Sequence, residues 1–163
     1  MSPLTQIVTL AFLAVLTFQA VNAQGPSDGK YSIVSTTRPQ IPVGVDDYGP
    51  YHRVAVGGKS NVWTIMKLDE GDYQIILEQS GIKWYTEDFQ GTLTMSPNSP
   101  AKPRGTWRLQ KYGDYYSIEV PSNIVPSKAW ALKNMDNTQP GEEVTIGAAD
   151  FPMVWKFTPV LEK

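Results

Sequence analysis

The chain has 163 residues, with 14 Lys and Arg against 16 Asp and Glu, a net charge of −2, a single His and no Cys. It can therefore build no disulfide framework, thiolate nucleophile, iron–sulfur cluster or Cys-ligated zinc. One His (His52) leaves no multi-His metal site and a single possible base for a Ser–His–Asp triad. The slightly acidic balance speaks against nucleic acid as a partner. A content of 41% hydrophobic and 18% charged residues suits one folded domain, with no cofactor or metal expected.

In chain order, the first feature is the run IVTLAFLAVLTF over 7–18, followed by QAVNA with small Val21 and Ala23 around Asn22. A short apolar core ahead of a small-x-small site is the pattern of a secretory signal peptide. The core falls short of the roughly 20 residues that a membrane span needs. The expectation is a signal peptide over 1–23 and a mature domain over 24–163, 140 residues long, secreted and without stable membrane association once the leader is removed. A mature chain of that length can hold a core without disulfide staples. Asn98-Ser99-Pro100 fails the glycosylation rule.

Beyond the leader, short runs of Tyr, Trp, Ile, Val and Thr alternate with turn residues, as strands require. The first unit, 30–68, has strands expected near 30–35, 41–46, 53–57 and 61–68. The second, 72–111, has them near 73–78, 83–87, 92–95 and 106–111. The third, 115–160, has them near 115–120, 128–133, 143–148 and 154–160. Two markers recur in phase. Tyr31-Ser32-Ile33, Tyr73-Gln74-Ile75 and Tyr116-Ser117-Ile118 lie 42 and 43 residues apart. Trp63-Thr64-Ile65, Trp107-Arg108-Leu109 and Trp155-Lys156-Phe157 lie 44 and 48 residues apart. Three repeats of four strands, with edges that closure removes, predict an all-β fold: a β-trefoil of twelve strands in three pseudo-repeats. An ordinary β-sandwich is the alternative that the period disfavours. Trp63, Trp107 and Trp155 read as core, and Trp84 and Trp130 as partly exposed.

No G-x-S-x-G, P-loop, G-x-G-x-x-G or H-E-x-x-H motif occurs, and no enzymatic activity is expected. The carboxylate pairs Asp46-Asp47 and Glu142-Glu143 do not converge if they lie on strands, because neighbours point to opposite faces; both read as solvated. Function is then expected in loops carried by a rigid scaffold. The first candidate is 46–53: Asp46, Asp47, Tyr48, Gly49, Pro50, Tyr51, His52 and Arg53, with Tyr and Arg as favoured interface anchors around a stiff corner. The second is the Pro-rich basic stretch SPNSPAKPR over 96–104, with Lys102 and Arg104, read as an extended basic loop that an acid-based pocket would accept.

Gly29, Tyr31, Ile33 and Ser35, then Trp63, Ile65, Lys67, Leu68, Asp69, Gly71 and Tyr73, and finally Trp155, Phe157, Pro159 and Val160 form a framework. It resembles the fungal β-trefoil serine protease inhibitors of the cospin type, of the ricin-B-like fold. The resemblance implies a monomeric protein that blocks trypsin-like or chymotrypsin-like serine proteases through one loop between the second and third strands, here 46–53. The residue entering the protease would be Tyr48, Tyr51 or Arg53, with Lys102 or Arg104 as a second head. Two alternatives share the architecture. Ricin-type lectins carry Gln-x-Trp in each unit, where this chain has Asn61, Gly105 and Met153 two residues before the Trp. The mycocypin-type cysteine protease inhibitors fit the closing W-x-F-x-P-V less well.

Overall fold

A computed structural model describes residues 25–37, 39–48, 51–122, 127–134, 140–148 and 153–161; within the strands, the side chains of Asp47, Tyr48 and Tyr51 are left aside. The signal peptide expected over 1–23 lies outside the described residues.

Alternating apolar and polar residues make strands here, and Gly or Pro between them makes the turns. Among the described residues the strands are β1 (Gly29–Ser35), β2 (Val43–Tyr48), β3 (Tyr51–Val56), β4 (Trp63–Lys67), β5 (Tyr73–Gln79), β6 (Ile82–Phe89), β7 (Thr92–Ser96), β8 (Arg108–Tyr112), β9 (Tyr115–Glu119), β10 (Lys128–Leu132), β11 (Val144–Ala148) and β12 (Trp155–Pro159). They match the expected twelve in order. The largest shift falls on β2, expected at 41–46; its pairing with β3, expected at 53–57, runs toward the connecting residues instead.

Six strands close a barrel. Antiparallel ladders join β12 to β1, β1 to β4 and β4 to β5, then β8 to β9 and β9 to β12. The remaining seam, between β5 and the entry to β8, is the bridge Tyr73↔Trp107, with both N–H groups donating at 2.8 Å. The hairpins β2–β3, β6–β7 and β10–β11 cap one end. The fold is a β-trefoil. The two sequence markers are register partners in every repeat: Tyr31↔Trp63, Tyr73↔Trp107 and Tyr116↔Trp155. The 40-odd-residue period is thus the pairing of each unit's first and last barrel strands.

The core lies where the barrel meets the cap. Trp63, Trp107 and Trp155 are fully buried, and Trp130 of β10 stands among them edge-to-face, with ring centroids at 6.3, 5.5 and 6.1 Å. Trp130 is therefore core, against the expectation of part exposure. It is flanked in sequence by small Ala129 and Ala131, and its partners come from three other strands. Trp63 donates its indole N–H to the Val43 carbonyl at 2.8 Å, and Trp107 donates to the Thr86 hydroxyl at 2.8 Å. The opposite end of the barrel is closed by Tyr31, Tyr73 and Tyr116 and by the segment leading into β1. Gly25 lies so close to the Tyr73 hydroxyl that a Cβ there would stand 2.2 Å from it, and Ser27 accepts the Tyr31 hydroxyl through its carbonyl at 2.9 Å.

Candidate functional site

The 46–53 stretch is an arm, not a loop. β2 and β3 form a two-stranded sheet separate from the ten-stranded one. Their ladder runs from Val43↔Val56 through Asp46↔Arg53 and Asp47↔His52 to Tyr48↔Tyr51. Gly49 and Pro50, which join the strands, lie outside the described residues. The sequence reading made 46–53 a loop around the Gly-Pro corner; cross-strand pairing carries the strands up to that corner instead.

The root of the arm is sealed. Val43, Val45, Val54 and Val56 are buried on one face. On the other face Gly44 meets backbone directly: a Cβ there would stand 2.5 Å from the Gly58 carbonyl oxygen and 2.6 Å from that of Ser60. Val45 N–H donates to Ser60 at 2.8 Å, and Val56 N–H to the Glu142 carbonyl at 2.9 Å, so both outer edges are tied at the root. Farther out, the His52 ring meets Trp84 of β6 edge-on, centroids 4.0 Å apart. That contact braces the arm against the second unit's hairpin, and nothing in the sequence points to it. Asp46, His52 and Arg53 are half-buried.

The second candidate differs from its expected form. Instead of projecting, 96–104 lies on the barrel wall. The Ser99 hydroxyl accepts from the buried Gln74 amide at 3.1 Å, and Pro100 packs where a Gly105 Cβ would be, 1.9 Å away. The Asp88 N–H donates to the Arg104 carbonyl at 2.8 Å, and Lys102–Pro103 is a cis peptide. Both basic heads are engaged: Lys102 with Glu70 at 3.3 Å, and Arg104 with Glu87 at 3.0 Å while its guanidinium covers the Phe89 ring at 4.9 Å.

The Glu142-Glu143 pair separates. Glu142, expected to be solvated, is buried and accepts the Asn134 N–H, whereas Glu143 reaches outward to Lys133 at 2.8 Å. Capping a backbone donor is what permits a carboxylate to be buried. Among the described residues no three of His, Asp and Glu come together as a metal site, and no helix is long and apolar enough to cross a membrane. At the barrel base, burial raises the pKa of the Tyr73 phenol above its usual value, with Tyr116, Asp28 and Tyr31 adding to it. Tyr116 shifts the same way, through burial and then Tyr31 and Asp114.

Sequence reasoning passed over one surface feature. Tyr112 and Tyr115, 46% and 38% exposed, face each other across the β8–β9 turn as a register pair. The available signal was the repeated Tyr-Gly-x-Tyr, at 48–51 and again at 112–115.

No known family profile matches the chain, and no curated protein does. Solved structures share its fold. A mosquitocidal holotoxin superposes with a TM-score of 0.70 at 16% identity, over 84% of this chain and 18% of its own. Cry35Ab1 gives 0.66 at 13%, over 85% of this chain and 38% of its own. A Polyporus squamosus lectin, solved with a human-type influenza-binding epitope, gives 0.61 at 15%, over 83% of this chain and 50% of its own. The chain thus spans under two-fifths of either toxin chain and half of the lectin chain. The likeness is one of fold: that of β-trefoil, ricin-B-like toxins and lectins.

Proposed function

We propose that the chain is a secreted inhibitor of a serine-type endopeptidase, without catalysis of its own, that docks the tip of the β2–β3 arm in the enzyme's active-site cleft. The observation that carries this reading is the arm's construction: a root sealed into the core and a ladder that continues to Tyr48↔Tyr51. A peptide bond cut at such a tip leaves both new ends held by cross-strand pairs. The leaving segment stays in place, and resealing competes with hydrolysis. The prior ordering of the arm also reduces the entropy lost on docking.

A Tyr at 48 or 51 suits a chymotrypsin-like pocket. Arg53, the trypsin-like choice, is half-buried and registered opposite Asp46, which favours the tip tyrosines over it. Lys102 and Arg104 already hold Glu70 and Glu87, which weighs against a second head there. The cospin-type framework of Tyr, Trp and W-x-F-x-P-V residues supports the same reading. Inhibition of chymotrypsin, trypsin and subtilisin is the direct measurement: chymotrypsin is expected to respond most strongly, and no inhibition of any of the three at micromolar protein ends the proposal. Papain inhibition instead would favour the mycocypin-type alternative. Glycan-array binding that survives changes in 46–53 would favour the lectin alternative.

A further inference from the structure

The arm's tip chemistry occurs twice. Tyr48-Gly49-Pro50-Tyr51 and Tyr112-Gly113-Asp114-Tyr115 have the same pattern, and in each the two tyrosines are register partners flanking a two-residue connection. The second tip is described in full. Gly113 has φ 62°, a left-handed conformation that glycine adopts at no steric cost. Residues directly opposite on an antiparallel ladder project from the same face, about 5.5 Å apart at most. Tyr112 and Tyr115 therefore share one face, and both are well exposed.

The root of this hairpin is anchored through β9, since β8 carries no buried residue. Five register pairs join β8 to β9, from Arg108↔Glu119 to Tyr112↔Tyr115. Ser117 and Ile118 are fully buried, and Tyr116 packs edge-on against Phe157 with centroids 5.4 Å apart. The Arg108 guanidinium lies 3.7 Å from Asp72 across the neighbouring turn. A rigid hairpin that ends in two exposed tyrosines keeps aromatic area ready for contact at little entropic cost, since a Tyr has only two side-chain torsions to fix. The two tips also occupy different layers. The arm belongs to the cap, whereas β9 starts at the barrel base, one residue before the Tyr116 that packs there.

We propose that the Tyr112–Tyr115 tip is a second docking head for the same class of partner, a serine protease with a pocket that accepts aromatic side chains, so that one molecule holds two enzyme molecules. This inference rests on the reading of the arm as a protease-docking element, because the shared tip chemistry is what names the partner. It replaces Lys102 and Arg104 as the second head.

The test is the molar mass of complexes with excess α-chymotrypsin, measured by light scattering during size-exclusion chromatography. The intact protein is expected to carry two enzyme molecules. Y112A/Y115A and Y48A/Y51A are each expected to carry one, and the fourfold variant none. Y112S/Y115S, with a polar side chain suited to an exposed turn, repeats the first variant should alanine disturb the hairpin, and circular dichroism confirms folding of each. A one-to-one complex of the intact protein that Y112A/Y115A leaves unchanged and Y48A/Y51A abolishes overturns the second head and leaves the arm standing. A complex lost only with Y112A/Y115A overturns the arm reading while the base tip still docks the enzyme. No complex with the intact protein overturns both.

Discussion

The β2–β3 arm and the 96–104 segment look alike as sequence: each mixes basic residues with Pro and small polar residues at a chain reversal. They sit on the molecule in opposite ways. The arm pairs with itself out to Tyr48↔Tyr51 and is tied at its root and at the His52–Trp84 contact. Past Ser96, which ends the β6–β7 ladder opposite Tyr85, the 96–104 segment lies outside every strand and is held by Gln74, Gly105, Asp88, Glu70 and Glu87. A segment bound to its own protein in this way must break those contacts before it can grip another. The comparison teaches that Pro-rich basic composition does not distinguish a presented segment from a packed one; what decides is the set of partners supplied by distant strands.

Breaking the arm at its root has the largest expected effect. Gly44→Ala places a Cβ 2.5 Å from the Gly58 oxygen and 2.6 Å from that of Ser60, and backbone cannot swing aside as a side chain can. Overpacking of this kind costs about 3 kcal/mol. A fall of roughly 6–12 °C in thermal midpoint is the expected readout for a chain of this size. Replacing Gly105 by Ala meets the Pro100 ring at 1.9 Å, so the 96–104 segment must lift from the barrel. The expected stability loss there is smaller, about 1–2 kcal/mol by chemical denaturation, because a surface segment can yield. If the arm does the docking, chymotrypsin inhibition by the Gly105→Ala protein is unchanged.

Activity sharpens the same contrast. In a Y112A/Y115A background, where the arm is the one remaining head, Y48A/Y51A is expected to weaken chymotrypsin inhibition by at least about 30-fold, the loss of roughly 2 kcal/mol that defines an interface anchor. Arg104→Ala is expected to leave the inhibition constant within about threefold. Its structural cost is small too, under about 1 kcal/mol, since an exposed guanidinium loses one ion pair and one ring contact. A larger loss of inhibition with Arg104→Ala than with Y48A/Y51A would reverse the assignment of presented and packed segments.

The barrel was legible in the sequence because its signal is local and repeated. Each Tyr-x-Ile and Trp-x-Φ marker sits on a strand that must place those side chains inward, and the period recurs because each Tyr pairs with the Trp that ends its unit. The cap was less legible. Residues 46–53 read as a loop, and pairing with the facing strand makes 46–48 part of a ladder. Trp130 and the His52–Trp84 contact depend on neighbours far away in the chain, three indoles and a second hairpin, and Glu142 on the Asn134 N–H across its own hairpin. For the candidate site, the position of the arm could be read from the sequence, whereas its pairing and the contacts that hold 96–104 could not.

The smallest expected effect concerns the barrel base. Tyr73 and Tyr116 have raised pKa values, chiefly because burial disfavours the phenolate. The folded state therefore holds these protons more tightly than the unfolded chain, where a Tyr titrates near about 10. The stability this contributes is complete below that unfolded value, and it is lost as pH rises through the higher folded values. Unfolding followed against pH should thus show stability declining above about pH 10. Tyr73→Phe removes one of the two groups, so the alkaline decline should be shallower in that variant. An equal decline in the variant would show that the base does not set the alkaline limit. If the midpoint falls while docking by the remaining folded fraction is unchanged, the base holds the scaffold and takes no part in the tip chemistry of the arm.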